Sequence, residues 1–328
     1  MDFQLTPEQV EFREATTKLC AGRFPIERLR AGEGHGLDRA MWAELAVFGV
    51  FSVRQPTGAG GSGLGVSEAA LVFEELGRGL VPGPLVWTYL AAGVDGDAAP
   101  DRIVGGIERG RGPGDGGGGR ELMMLEHLPD LDELVVLDDD GIWLVDPRAV
   151  DAAPAPDALD PLTPVWTATA LPTGRQVGGR DDAARWRLEG AAIVAAQLAG
   201  MAEALTDLTV AYTKERHQFG RPVGSFQSIK HLLADMLVRS ELARTQAYAA
   251  AVHLDEPELG DTARSVSAAK SVAGRAAIRN GTASVQAHGG MGFTWEVDSH
   301  LYLKRAWTLD PLFGSADWHA DRMATLLG

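Results

Sequence analysis

Apolar side chains at Val194, Leu198, Met201, Leu205, Leu208 and Tyr212 recur every three or four residues, which predicts one buried face of a long helix. Ile229, Leu233, Met236 and Leu237 predict a second helix over about 225–253, broken by Pro257. A third runs from Asp261, which can cap it, to about Gln286, and its many small residues suit close packing in a bundle. Near the N-terminus, Thr6 ahead of Pro7 and Glu8 reads as an N-cap, a first-turn proline and an acidic first turn, after which Val10 and Phe12 open an apolar stripe. A helix over 38–47 ends near Gly49, and a Gly-rich loop over 58–65 leads into another over 66–80, closed by Pro82 and Pro84. Between 91 and about 185 the helical period fades and Pro and Gly become frequent. Two β-prone runs, 134–137 and 142–145, flank an acidic turn and predict a hairpin, and 166–171 predicts a further strand, enough for only a small sheet. The pattern is mainly α with a small β insert, divided as 1–90, 91–185 and 186–328.

Composition narrows the function classes. A chain of 328 residues, 45% of them hydrophobic, is long enough for two or three domains around a sizeable core. Its net charge of -15 repels nucleic acid and anionic lipid, so neither is an expected partner. The lone Cys20 excludes an intramolecular disulfide framework and a cysteine-based metal cluster, and is expected to be a small buried side chain. No metal site is expected: His288 has no partner at ligand spacing and reads as structural or solvent-facing. The N-terminus lacks the basic and apolar blocks of a signal peptide, and the Ala-rich stretches are broken by charged or amide residues too often to span a bilayer. A soluble, cytoplasmic protein is expected.

Two segments can carry chemistry. Arg216, Gln218 and Phe219 follow the first long helix: an arginine there can fork onto a pyrophosphate, and Phe219 can pack against an adenine or ribose. By itself the pattern also fits a cation complementing the helix dipole, with Phe219 in the core, and that plainer reading is the better one in isolation. Gln286, Gly289 and Gly290 end the third helix, where glycines let backbone amides approach a phosphate. A glycine cap and turn also explains them, and in isolation is the better reading. The loop over 58–65 lacks the Lys and Ser or Thr ending of a phosphate-binding loop, and Asp138, Asp139 and Asp140 lack the rest of a metal-loop pattern.

Taken together and in order, these segments resemble the acyl-CoA dehydrogenase family. LTPEQVEFREA, WAELAVFGVFSV and GLGVSEAALVFEELGRG resemble its N-terminal helical domain, and AYTKERHQFGRPVGSFQSIKHLLADM and VQAHGGMGFTWE its flavin-contacting bundle. The resemblance implies an N-terminal helical domain, a middle β domain, here reduced, a C-terminal four-helix bundle, and oxidation of acyl-CoA thioesters at the α,β carbons with FAD. It assigns Arg216, Phe219, Gln286, Gly289 and Gly290 to the FAD of a neighbouring subunit, and puts Gln218 where the family carries a small polar contact. It implies no catalytic residue in this chain. Phe313 stands where the family's glutamate base lies, and a phenyl ring accepts no proton. The alternative base position falls on Gly190, and Glu189 beside it is turned by about 100° on a helix. The family's flavin-contacting loop of the middle domain is replaced by GRGPGDGGGG at 110–119. These departures resemble the non-catalytic subunit of heterotetrameric acyl-CoA dehydrogenases of steroid-CoA side chains. That implies a homologous catalytic partner carrying most of the acyl-CoA site, and leaves room for an electron-transfer flavoprotein. A self-sufficient homomeric enzyme using Glu189, and a non-enzymatic scaffold, are the competing readings.

Overall fold

The computed structural model describes residues 5–94, 100–109 and 122–326, so the run at 110–119 lies outside the described residues. Local signals account for the first helices. In α1 (Pro7–Arg23) Thr6 and Gln9 form the reciprocal capping box, with Pro7 opening the helix. After the short α2 (Ile26–Ala31), the Asp38 carboxylate caps α3 (Arg39–Phe48) by accepting from the amides of Ala40 and Met41. Gly49, at φ 94°, closes α3 in the left-handed conformation that glycine adopts without strain. α4 (Val66–Arg78) is followed by α5 (Leu85–Ala91), in which every residue is buried. The sequence reading closes the helical block at Pro84 and misses α5, because a helix buried on all sides has no polar face to set a period.

The middle of the chain holds more β structure than one small sheet. Strands β1 (Val104–Glu108), β2 (Met123–Glu126), β3 (Glu133–Leu137), β4 (Ile142–Val145), β5 (Ala152–Pro154), β6 (Val165–Ala168) and β7 (Arg175–Gly178) form two sheets, ordered β1-β3-β4-β7 and β2-β6-β5. The expected hairpin is β3 and β4, antiparallel around the acidic turn, where the Asp138 carboxylate accepts from the amides of Asp140 and Gly141. β1 pairs with β3 in parallel, a non-local match that no turn motif announces.

The remainder is helical: α6 (Arg180–Glu215), the two-residue strands β8 (His217–Gln218) and β9 (Arg221–Pro222), α7 (Gln227–Asp255), α8 (Thr262–His288), α9 (Ser299–Leu309) and α10 (Ala316–Leu326). Contrary to the expectation from its interrupted apolar run, α6 is long and apolar enough by length and composition to cross a bilayer; 83% of its most apolar stretch is buried within the protein. That burial marks it as a core helix.

The chain divides into two compact units, one of residues 1–26, 66–81 and 191–328, the other of 27–65 and 82–190. In the first unit, α4 and α6 cross where Gly77 meets the backbone of Gln197 and Gly200 meets that of Glu74, so closely that a Cβ at either glycine would collide with a carbonyl. The buried Asn280 amide of α8 donates to Ala202 and Thr206 of α6 and to Met236 and Ser240 of α7, and its oxygen accepts from Arg239. This polar knot fixes the relative register of three helices. In the second unit, the sheets and α5 share an apolar core that includes Trp87, Leu90, Ile103, Val135 and Leu137.

Candidate functional site

The first candidate segment forms because α6 stops at Glu215 and the chain doubles back at once. His217 and Gln218 pair with Pro222 and Arg221, and the Val223 amide donates to the Arg216 carbonyl at 2.8 Å. The two turn residues, Phe219 (φ 53°) and Gly220 (φ 76°), are both left-handed, as a two-residue hairpin requires. Glycine takes that conformation freely, whereas an aromatic residue does so at a cost. Phe219 stands at the tip 91% exposed, so it is not the core residue of the plainer reading. Phe226 supports it edge-on, with ring centroids 6.1 Å apart, and the Arg221 guanidinium lies 4.0 Å from the Phe226 centroid. Arg216 and Gln218 are exposed beside it.

The second segment ends α8. Gln286 is exposed, Gly289 turns the chain at φ 62°, and an added Cβ at Gly289 or Gly290 would have no protein atom within 4 Å. Their open faces let a ligand approach the backbone directly. Gly292 differs: a Cβ there would strike the Val285 carbonyl, so this glycine is needed for packing.

A contact that the sequence did not announce joins the two segments. Tyr212, read from the sequence only as part of an apolar stripe, stacks on His288 with centroids 4.0 Å apart, and its hydroxyl donates to the His288 carbonyl at 3.4 Å. His288 is buried, its Nδ1 2.7 Å from the Ser284 carbonyl. The Ser284 hydroxyl lies 2.7 Å from both Thr209 and Ser299. Tyr212 lies one helical turn before Arg216, and His288 lies between Gln286 and Gly289, so the six candidate residues share one end of the bundle. This end presents a cation, an aromatic ring, two amides and two open glycine backbones outward, groups suited to the phosphate and adenosine part of a dinucleotide.

The two places that would hold a base are occupied otherwise. Phe313 is 2% exposed, and with Gly314 it forms a left-handed turn, φ 56° and 95°. His319 Nε2 lies 2.9 Å from the Phe313 carbonyl, and the fully buried Lys270 ammonium donates to the carbonyls of Asp310 at 2.5 Å and Gly314 at 2.8 Å. The turn is stitched into the core of its unit. Glu189 lies well inside α6, so no irregular helix start re-aims it. It is 3% exposed, and its Oε1 is 2.6 Å from Arg54 Nε. The Arg54 guanidinium also lies 5.3 Å from the Tyr89 ring centroid, and burial, then the Glu189 charge, hold the Tyr89 hydroxyl well above its ordinary titration range.

Comparison with known proteins gives a consistent picture. The family model described as acyl-CoA dehydrogenase, N-terminal domain matches residues 6–94, and that described as acyl-CoA dehydrogenase, C-terminal domain matches 182–327. The chain is 34% identical over 299 residues to acyl-CoA dehydrogenase FadE34 of Mycobacterium tuberculosis; this covers 85% of the chain but only 41% of FadE34. It is 32% identical over 318 residues to acyl-CoA dehydrogenase IpdE2 of the same organism, covering 92% of each. Among solved structures, the ChsE4-ChsE5 complex from Mycobacterium tuberculosis superposes with a TM-score of 0.83 at 26% identity, covering 100% of this chain and 99% of that one.

Proposed function

This chain belongs to the acyl-CoA dehydrogenase family, and from that premise we propose that it is the FAD-contributing, base-less subunit of a heteromeric acyl-CoA dehydrogenase. In this reading its domains follow residues 1–90, 91–185 and 186–328, and a homologous catalytic chain in the same cytoplasm supplies the base and most of the acyl-CoA site. Two copies of each chain form a heterotetramer that introduces an α,β double bond into a steroid side-chain thioester. A complex named for two chains among the structural neighbours, and another described as a steroid acyl-CoA dehydrogenase, support the assembly and the substrate class. An electron-transfer flavoprotein fits as the onward electron acceptor.

The carrying observation is the contrast between the two regions: the clamp residues face outward, while Phe313 and Glu189 are buried and engaged. When bound, FAD supplies the hydride acceptor for oxidation of the acyl chain. The part of this chain is to grip and orient. Arg216 neutralises phosphate charge, Phe219 packs against the adenosine, Gln218 and Gln286 donate or accept through their amides, and Gly289 and Gly290 offer backbone. At the base positions Phe313 has no acceptor, and the Glu189 carboxylate is buried in an ion pair with Arg54.

Co-expression with the catalytic chain that co-purifies from the native host tests this. The complex is expected to be yellow and active, and Arg216→Ala to lower its flavin content about tenfold or more while assembly persists. Unchanged flavin content with intact assembly would favour a scaffold, and acyl-CoA oxidation by the single chain would reject the proposal.

A further inference from the structure

The glycine-rich loop over 58–65 has no part in the flavin clamp, yet it is firmly built. The amides of Ser62, Gly63 and Leu64 donate to the carbonyls of Ser52, Gln55 and Val53 at 3.2, 2.8 and 3.0 Å, which folds the loop back onto the turn that follows α3. Together with the end of α3, α5 and Arg102, the loop encloses a cavity of about 420 Å³ within the second unit, a volume typical of a small-molecule site. Phe51 supplies its apolar floor. That ring is 4% exposed and is backed by Trp42, with centroids 4.8 Å apart and planes 25° from parallel, while the Trp42 indole donates to the Arg102 carbonyl at 3.3 Å. The floor is therefore flat and held in place.

The polar groups on the wall define what fits over it. Gln55 Nε2 donates to the Ala92 carbonyl at 2.7 Å, and a Cβ at Gly93 would come within 2.2 Å of Gln55 Oε1, so the glycine leaves this amide its place. Among the described residues, neither Gln55 Oε1 nor the Ser52 hydroxyl has a hydrogen-bond partner, and both residues line the cavity. Arg102, the one charged side chain among the described lining residues, is engaged by Glu133 at 2.5 Å and by the Ala91 carbonyl at 3.0 Å. We propose that this cavity binds a small uncharged ring compound carrying a hydroxyl group, a phenol or a cyclic alcohol. The Phe51 floor takes the ring, Gln55 Oε1 accepts the hydroxyl proton, and the Ser52 hydroxyl donates to the hydroxyl oxygen. An anion meets the Gln55 oxygen and an arginine already paired, and a plain hydrocarbon leaves both polar groups without a partner. The inference is independent of the flavin reading.

The test titrates phenol and cyclohexanol into the purified full chain and follows them by ligand-observed NMR, with toluene and benzoate as counter-probes. Two variants are compared with wild type: Ser52→Ala, which removes one hydrogen bond, and Ala59→Phe, which fills the cavity from an exposed position of the loop. The wild type is expected to bind both alcohols saturably with a Kd of about 1 mM, and toluene and benzoate about tenfold more weakly. Ser52→Ala is expected to weaken the alcohols about fivefold and leave toluene unchanged, and Ala59→Phe to abolish binding of all four, both with thermal midpoints near that of wild type. No saturable binding of either alcohol below about 20 mM would overturn the inference. So would toluene binding as tightly as phenol, or Ala59→Phe binding the alcohols within twofold of wild type. None of these results bears on flavin content, so the proposed function stands or falls separately.

Discussion

At the scale of single residues, the proposal depends on which side chains are available and which are already engaged. Phe313 points into a packed turn held by Lys270 and His319, so restoring a glutamate there does not restore a base. Phe313→Glu is expected to lower stability by about 3–5 kcal/mol, measured by denaturant unfolding, with no acyl-CoA-dependent dye reduction gained. Glu74 provides a second check. Burial pushes its carboxyl up to about 7, the Glu203 and Glu75 charges push the same way, and the hydrogen bond from Tyr248 and the charge of Arg244 oppose them. Because the folded-state value is raised from 4.5, its contribution to stability is fully present below about pH 4.5 and is lost as pH rises through about 7. The shift corresponds to about 3 kcal/mol. Unfolding experiments from pH 5 to 8 should show that loss, and Glu74→Gln should flatten the slope and be the more stable protein at pH 8.

At the scale of elements, close helix crossings set the bundle. Gly200→Ala forces a methyl group into the Glu74 carbonyl, and a loss of about 2–4 kcal/mol with a thermal midpoint several degrees lower is expected. Gly290→Ala, with nothing near its Cβ, should leave the midpoint unchanged and act only on flavin content. Caps and periods were legible from sequence because they are local: Thr6, Gly49 and Asp261 act within one turn of where they stand. α5 was not legible because all its faces are buried, and the parallel pairing of β1 with β3 was not because it is non-local. The candidate residues could be named from the sequence. Their meeting at one end of the bundle could not, since it rests on the contact of Tyr212 with His288, 76 residues apart in the chain.

At the scale of the whole molecule, the account is a division of labour: this chain grips the outer part of a flavin, and a homologous partner holds its reactive ring, the base and the acyl-CoA. The most direct measurement is the flavin content and acyl-CoA oxidation of the purified single chain beside those of the co-expressed complex. The account predicts a nearly colourless, inactive single chain and a yellow, active complex with one FAD for each pair of unlike chains. A single chain that binds FAD in full and oxidises an acyl-CoA thioester unaided would contradict it.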